Sequence, residues 1–357
     1  MFDKTTVEAV TRETEDSVVV SLNVPSGKNE DYKYIQGQNL TLIKDIDGEE
    51  VRRSYSICSS VNDDDLRVGI KKVDGGKFST WANTHLKPGE TLGILPPAGH
   101  FYTELDPKNA ANYIGVAAGS GITPILSILK TILQVEPESH FMLIYGNKRT
   151  DTIMFLEEIE GLKSTYKERF SVFNILSQEI QNADVLNGRI DNEKIEQLLA
   201  SFSPNTHIDN VFLCGPFSMV KTAEQAFVKH GIDAANIHSE IFGAPTDLAT
   251  EAPKKQLSKE EAENESRVVI MLDGKGTQLK LARGGETILD AALKVRKELP
   301  FACKGGVCAT CKAKVVSGEV EMDLNYSLTQ EEIDQGFTLT CQAHPVSDDV
   351  QIDFDQK

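Results

Sequence analysis

The densest group of reactive side chains in the 357 residues is the stretch "FACKGGVCATC", residues 301–311, which holds three of the six cysteines: Cys303, Cys308 and Cys311. A fourth, Cys341, follows in "FTLTCQAHP", giving a full spacing of C-x4-C-x2-C-x29-C. By count, four thiolates suit a zinc ion or an iron–sulfur cluster equally. They can also pair as disulfides or serve as small core residues. Spacing separates these chemistries. Structural zinc commonly sits between two C-x2-C knuckles, and only Cys308 and Cys311 have that separation. The C-x4-C-x2-C…C pattern is that of a two-iron, two-sulfide centre. Gly305 and Gly306, with small Ala302, Ala309 and Thr310, leave room for backbone N–H groups to reach the sulfides. The expectation is a [2Fe–2S] cluster on Cys303, Cys308, Cys311 and Cys341.

A cluster of this type moves one electron at a time, so a donor is expected elsewhere in the chain. In "RSYSICS", residues 53–59, Arg53 offers a planar fork for a pyrophosphate oxygen. The run resembles the R-x-Y-S flavin signature of the ferredoxin–NADP reductase superfamily, which implies Tyr55 flat against an isoalloxazine ring and the Ser56 hydroxyl within reach of flavin N5. An ordinary half-buried strand would show the same alternation of Tyr55, Ile57 and Ser59. The next stretch, "VGIKKVDGGKFSTWANTHL", adds Ile70, Lys71, Gly76, Lys77, Phe78, Ser79 and Thr80. Its glycine pair permits close backbone approach to a phosphate, and Ser79 and Thr80 open a helix whose N-terminus collects anions. Together the two stretches predict FAD. His85 has no evident partner and reads as a surface residue.

"GVAAGSGITPILSIL" places Gly119 and Gly121 between a strand and a helix, with Thr123 expected as the cap and Pro124 at the first helical position. A loop in that context binds a dinucleotide. "YGNKRTD" ends the following strand with Asn147, Lys148 and Arg149. Its cations lean toward a 2′-phosphate, hence NADPH over NADH, although surface cations are common without one.

Three frameworks are needed to position these stretches. Residues 1–105 are rich in short β-branched runs separated by turn signals such as "DIDGEE" and "KPGE", which predicts a small antiparallel barrel. Residues 106–243 alternate strand and helix, which predicts a parallel sheet covered on both faces. Residues 244–266, with two prolines and many charges, read as a linker; a surface helix over "LSKEEAENE" is the alternative. Residues 267–357 open on a hairpin, "RVVIMLDG" and "TQLKLA", continue with a helix, "TILDAALKV", and then reach the cysteine loop.

These motifs resemble known families. "RSYSICS" matches the R-x-Y-S signature of the ferredoxin–NADP reductase superfamily, and Gly119, Gly121 and Pro124 match its G-x-G-x-x-P. In "FLCGP" and "HSEIFG" the resemblance implies Cys214, Gly215 and Pro216 beside the nicotinamide, Phe242 over the flavin, and Glu240, with Ser56, near N5. Residues 267–357 are similar to a plant-type ferredoxin. The implied fold is multi-domain: an FAD-binding antiparallel β-barrel, an α/β parallel-sheet nucleotide domain and an α+β β-grasp ferredoxin domain. This domain order resembles the reductase components of multicomponent oxygenases. The stretch "RVGIKKVDGGKFSTWANTHLKPGETLGILPPAGHF" is most similar to the reductases of phenylacetyl-CoA epoxidases. The implied activity is electron transfer from NAD(P)H through FAD and the cluster to an oxygenase, with reductases of other oxygenases or desaturases, or a redox-sensing module, as alternatives.

Composition narrows the partners. A formal net charge of -17 argues against nucleic acid, whose phosphates need a basic footprint. No apolar run approaches the ~18 residues of a membrane span, and the first residues lack the apolar core of a signal peptide. A cytoplasmic location is the expectation.

Overall fold

The structure is a computed structural model that describes residues 2–202, 207–242 and 264–356. They form two compact units, one of residues 3–51 and 55–242, the other chiefly of residues 264–356. Most of the expected linker, and of the helix offered as its alternative, lies outside the described residues.

The first unit begins with six strands: β1 (Asp3–Thr14), β2 (Ser17–Leu22), β3 (Asn39–Ile46), β4 (Glu49–Ser56), β5 (Leu66–Lys71) and β6 (Thr91–Ile94). Their order is β4-β3-β6-β1-β2-β5. An antiparallel bridge from Ile57 to Val68 joins the two ends and closes the barrel. Leu40, Leu42, Ile57, Val68, Ile70, Leu92 and Ile94 fill its interior. The sequence pattern does not announce β1, the longest strand. It pairs on both sides, yet only Thr5, Val7 and Thr14 of its twelve residues are buried, so its apolar alternation is faint. Helix α1 (Lys77–Thr84) follows β5.

Five parallel strands make the second sheet: β7 (Asn112–Ala118), β8 (His140–Asn147), β9 (Phe170–Leu176), β10 (Asn210–Gly215) and β11 (Ile237–Ile241). Helices α2 (Ile122–Val135), α3 (Leu156–Thr165), α4 (Asn192–Phe202) and α5 (Phe217–Lys229) connect them. The order β11-β10-β7-β8-β9 reverses direction between β7 and β10, and ligands of open α/β sheets bind at such a switch point. Helix α2 is buried from Ile122 to Leu133. Val19 and Cys58 of the barrel join its core cluster, so barrel and sheet share packing.

The second unit contains a mixed sheet of β12 (Glu265–Leu272), β13 (Lys275–Ala282), β14 (Lys312–Ser317), β16 (Phe337–Leu339) and β18 (Asp349–Asp353), ordered β13-β12-β18-β14-β16. β12 and β18 run parallel, and a small ribbon pairs β15 (Val320–Met322) with β17 (Ala343–Pro345). Helix α6 (Ile288–Leu293) starts where the Thr287 side chain accepts from the Asp290 N–H at 3.2 Å. The short α7 (Gln330–Asp334) has a capping box made by Thr329 and Glu332. β12 begins at Glu265, inside the segment expected as linker, because Glu265 and Ser266 already pair with β13.

Candidate functional site

Strand β4 presents Arg53, Tyr55 and Ser56 at its C-terminal end. Arg53 is exposed, and its Nη1 donates to the carbonyl of Arg52 at 2.7 Å. The half-buried Tyr55 ring leans on Phe78, with centroids 5.5 Å apart, and Phe78 meets Trp81 edge-on at 5.6 Å. Phe78 is thus a core side chain that backs Tyr55. Gly76 stands immediately before α1, and the Ser79 hydroxyl accepts from the Val73 N–H at 3.1 Å, which tightens the turn. The Thr80 N–H closes the first helical turn onto the Gly76 carbonyl, and helix geometry leaves the N–H groups before it unpaired within the helix. Lys77 reaches Glu49 at 2.7 Å and Lys71 lies 3.5 Å from Asp16. Ile70 is buried, and its carbonyl accepts from the Asn83 amide at 3.0 Å. His85 is exposed, with the Thr84 hydroxyl beside its ring at 2.6 Å.

The fold brings three distant residues together. Ser56 Oγ donates to Glu240 Oε2 at 3.3 Å, and Glu240 lies in register with Cys214 on the adjacent strand. Burial, reinforced by the nearby Glu240 charge, pushes the Cys214 thiol up, so it stays protonated at neutral pH. The Phe242 N–H bonds to the Gly215 carbonyl at 3.1 Å, which places Phe242 just past the end of β11. Pro216 precedes α5.

The glycine loop sits at the switch point. A methyl group on Gly121 would lie 2.1 Å from the Cys214 carbonyl oxygen, so the loop and the end of β10 fit only without a side chain there. Helix α2 starts at Ile122, not at Pro124, and Thr123 is not its cap: the Thr123 hydroxyl turns back to the Ser120 carbonyl at 3.0 Å. The preceding turn is a short 3-10 segment, Gly119–Gly121, that runs directly into the helix and makes a side-chain cap unnecessary. Tyr145, a strand residue that no motif in the sequence marks, donates to the Gly119 carbonyl at 3.1 Å. Asn147, half-buried, ends β8. Lys148 and Arg149 are exposed, and the Nε/Nη2 edge of Arg149 is taken by the Asp151 carboxylate at 3.0 and 2.9 Å.

In the second unit, Lys304, Gly306 and Ala309 all adopt positive φ (54°, 74° and 51°), and these three left-handed turns curl the cysteine loop. All six cysteines are free thiols. The four in question form two couples: Cys303 with Cys308, and Cys311 with Cys341. The Cys303 thiol, against the opposing effect of burial, brings Cys308 down to about 5. Cys311 does the same in direction for Cys341, helped by the Gly306 N–H and Gln342. Among the described residues, no three His, Cys, Asp or Glu side chains converge on one ion's position. Four cysteine sulfurs on and beside one tightly curled loop would hold either metal by count, and the C-x4-C-x2-C…C spacing is that of the two-iron centre. The donor set therefore fits a [2Fe–2S] cluster. Gln342, next to the last ligand, locks the loop by donating to the Lys304 carbonyl at 2.9 Å, and the Tyr326 N–H holds the Gly306 carbonyl at 3.0 Å.

Three family models match in tandem: an oxidoreductase FAD-binding domain over residues 4–102, an oxidoreductase NAD-binding domain over 116–225, and a 2Fe-2S iron-sulfur cluster binding domain over 270–346. The chain is 42% identical over 356 residues to one subunit of the 1,2-phenylacetyl-CoA epoxidase of Escherichia coli, covering 100% of this chain and 98% of that one. It is 34% identical to the ferredoxin reductase component of 3-ketosteroid-9-alpha-monooxygenase from Rhodococcus rhodochrous, covering 98% and 96%. The chain belongs to the flavin and iron–sulfur reductase components of multicomponent oxygenases. The solved structure of phthalate dioxygenase reductase has the same fold, with a TM-score of 0.59 at 19% identity and coverage of 99% and 98%. As a member of this family, the reductase carries electrons from NAD(P)H through FAD and a [2Fe–2S] cluster to an oxygenase component. FAD, when bound, takes up the two electrons of a hydride and releases them singly. Among the described residues, no helix is long and apolar enough to cross a membrane.

Proposed function

We propose that the oxygenase served by this reductase is a phenylacetyl-CoA epoxidase. The observation that carries the reading is 42% identity running the full length of the chain, without a gap in domain content. A reductase for another oxygenase is the second reading, favoured by the 34% identity to a ketosteroid monooxygenase reductase.

In this reading Arg53 pairs with the FAD pyrophosphate, Tyr55 lies on the isoalloxazine, and the first turn of α1 after Gly76 receives phosphate. Ile70 and Lys71 line the approach along β5. Ser56 and Glu240, already hydrogen-bonded, stand at flavin N5, and Cys214, kept as a neutral thiol, lies beside the nicotinamide with Gly215 and Pro216. Phe242 covers the flavin until nicotinamide displaces it. Gly119, Gly121, Thr123, Pro124 and Asn147 form the dinucleotide cradle. Lys148 is the better candidate for a 2′-phosphate, because Asp151 already occupies the Arg149 fork. The units are assigned as residues 1–105 for FAD, 106–243 for NAD(P)H and 267–357 for the cluster, in a cytoplasmic protein.

The test is reconstitution of the purified reductase with purified epoxidase or ketosteroid monooxygenase components, with NADPH and NADH compared. The reading expects coupled product formation with the epoxidase at an apparent KM at least about ten-fold lower than with the other acceptor. Equal or better turnover with the ketosteroid system would overturn it.

A further inference from the structure

Helix α2 is an anomaly in the sequence. It is buried on nearly every side, yet four polar residues recur on it at helical spacing: Ser127, Lys130, Thr131 and Gln134. All four face a single short segment of the barrel, residues 59–63, which is the direct continuation of the Arg53–Ser56 strand. Ser127 Oγ donates to the Ser59 carbonyl at 2.7 Å. Thr131 Oγ1 lies 3.2 Å from Ser60 Oγ and accepts from the Val61 N–H at 3.4 Å. Gln134 accepts from both the Ser60 hydroxyl and the Asn62 amide. Lys130, only 9% exposed, places Nζ 2.6 Å from Asp63 and 2.6 Å from Glu158 on α3. Arg67 of β5 grips the same Glu158 through both terminal guanidinium nitrogens, at 3.0 and 3.4 Å. Glu13 of β1 accepts the N–H of Phe155, the residue just before α3.

A buried lysine between two carboxylates is an unpromising way to gain stability, since apolar side chains of the same volume often do as well. Its geometric consequence is more specific. At one end α2 grows out of the Gly119–Gly121 loop; along its side it is bonded to the segment that leaves Tyr55 and Ser56. The seam ties the two elements through a rigid helix with directional bonds, where an apolar contact would let them slide.

We propose that this polar seam sets the spacing between the flavin strand and the dinucleotide loop, with Lys130 as its positioning residue. The inference rests on the reading above that places flavin on β4 and nicotinamide at Gly119–Pro124. Hydride transfer depends steeply on donor–acceptor placement, and a displacement of about 1 Å can cost up to ~10²-fold in rate. The seam therefore acts on the rate of flavin reduction more than on nucleotide affinity.

The test uses the full-length, FAD- and cluster-loaded protein. Lys130→Met is expected to lower the limiting rate of flavin reduction at saturating NADPH and NADH about ten-fold or more, with the nucleotide Kd within about three-fold of wild type. Amide exchange should rise at residues 59–63 and 119–126, and Lys130→Arg should restore most of the rate. Should Lys130→Met fail to retain FAD, Ser127→Ala carries the test, with a drop of about two- to five-fold at unchanged FAD content. A lower melting temperature with a wild-type limiting rate and wild-type exchange at 119–126 would overturn the proposal. Gly119→Val separates the two levels of argument: unaltered nucleotide binding in that variant would instead remove the nucleotide-site reading on which the proposal rests.

Discussion

Replacing Gly121 by alanine probes the dinucleotide loop with the smallest possible change. The backbone at Gly121 is right-handed helical, φ -60° and ψ -11°, so alanine meets no conformational penalty there. All of the effect comes from space. The new methyl would lie 2.1 Å from the Cys214 oxygen, 2.6 Å from its carbonyl carbon and 3.0 Å from the Gly215 nitrogen. These are backbone atoms at the end of a central strand and cannot rotate away. Relief requires the loop and β10 to part by about 1 Å, which costs about 1–3 kcal/mol of stability as an overpacked contact. The same shift carries Cys214 and its neighbour Glu240 away from Ser56, so the limiting rate of flavin reduction should fall about ten- to hundred-fold. Gly119→Ala is the matched control. Gly119 has φ 53°, and a methyl group there would have no atom within 4 Å, so alanine costs only about 1 kcal/mol of backbone strain. Its methyl points into the open space assigned to nucleotide phosphates, and its effect should fall on nucleotide Kd. Anaerobic stopped-flow reduction over a range of NADPH, with melting temperatures alongside, reads both. A Gly121→Ala protein with wild-type stability and limiting rate would refute the reasoning, as would a Gly119→Ala protein that loses more rate than it does.

Three further outcomes are expected. Cys308→Ser should abolish acid-labile sulfide and transfer to cytochrome c while NAD(P)H-to-ferricyanide activity persists; stoichiometric zinc in the wild-type protein would contradict the cluster. Burial pushes the Asp63 carboxyl up, but hydrogen bonds from Lys130 and the Ser60 N–H and the charges of Lys130 and Arg67 outweigh it and hold Asp63 below its ordinary value. A depressed carboxyl contributes stability above its unfolded value and loses it as pH falls through the folded one, so wild-type stability should drop with acid below about pH 4. Asp63→Asn should melt about 4 °C lower at pH 7 and show a flatter acid limb, measured by thermal melts across pH. Charge reversal of Glu331 and Asp334, exposed acids on α7, should raise the apparent KM for the oxygenase about three-fold or more at low salt and less at high salt, while NAD(P)H reduction of the flavin is unchanged. Glu332 is a poor probe of docking, because it bonds Lys312 at 2.9 Å and closes the α7 capping box, so its reversal would disturb folding.

The cysteine spacing, the R-x-Y-S strand and the strand–helix alternation are legible in the sequence because each is local: a ligand loop, a β-strand end and a glycine turn write themselves into a dozen neighbouring residues. β1 is not, since a strand flanked on both sides but buried at few positions leaves little alternation to read. The start of α2 differs from expectation because Thr123 and Pro124 suit a helix start, whereas a 3-10 turn over Gly119–Gly121 feeds the helix one residue before Thr123. Tyr145 and Gln342 leave no signal because their work is to hold a carbonyl in a loop far away in sequence. Lys130 sits in an apolar helical stretch, and its partner Asp63 lies 67 residues away, so only the folded chain reveals the seam.

The central claim is that one chain holds both a two-electron and a one-electron centre, fed by NAD(P)H. Anaerobic titration of the purified protein with NADPH, followed by absorbance and electron paramagnetic resonance, tests it most directly. The account predicts that complete reduction consumes about 1.5 equivalents, two electrons for the flavin and one for the cluster, with a [2Fe–2S] resonance at the end point. Complete reduction at about one equivalent, with no such resonance, would contradict it.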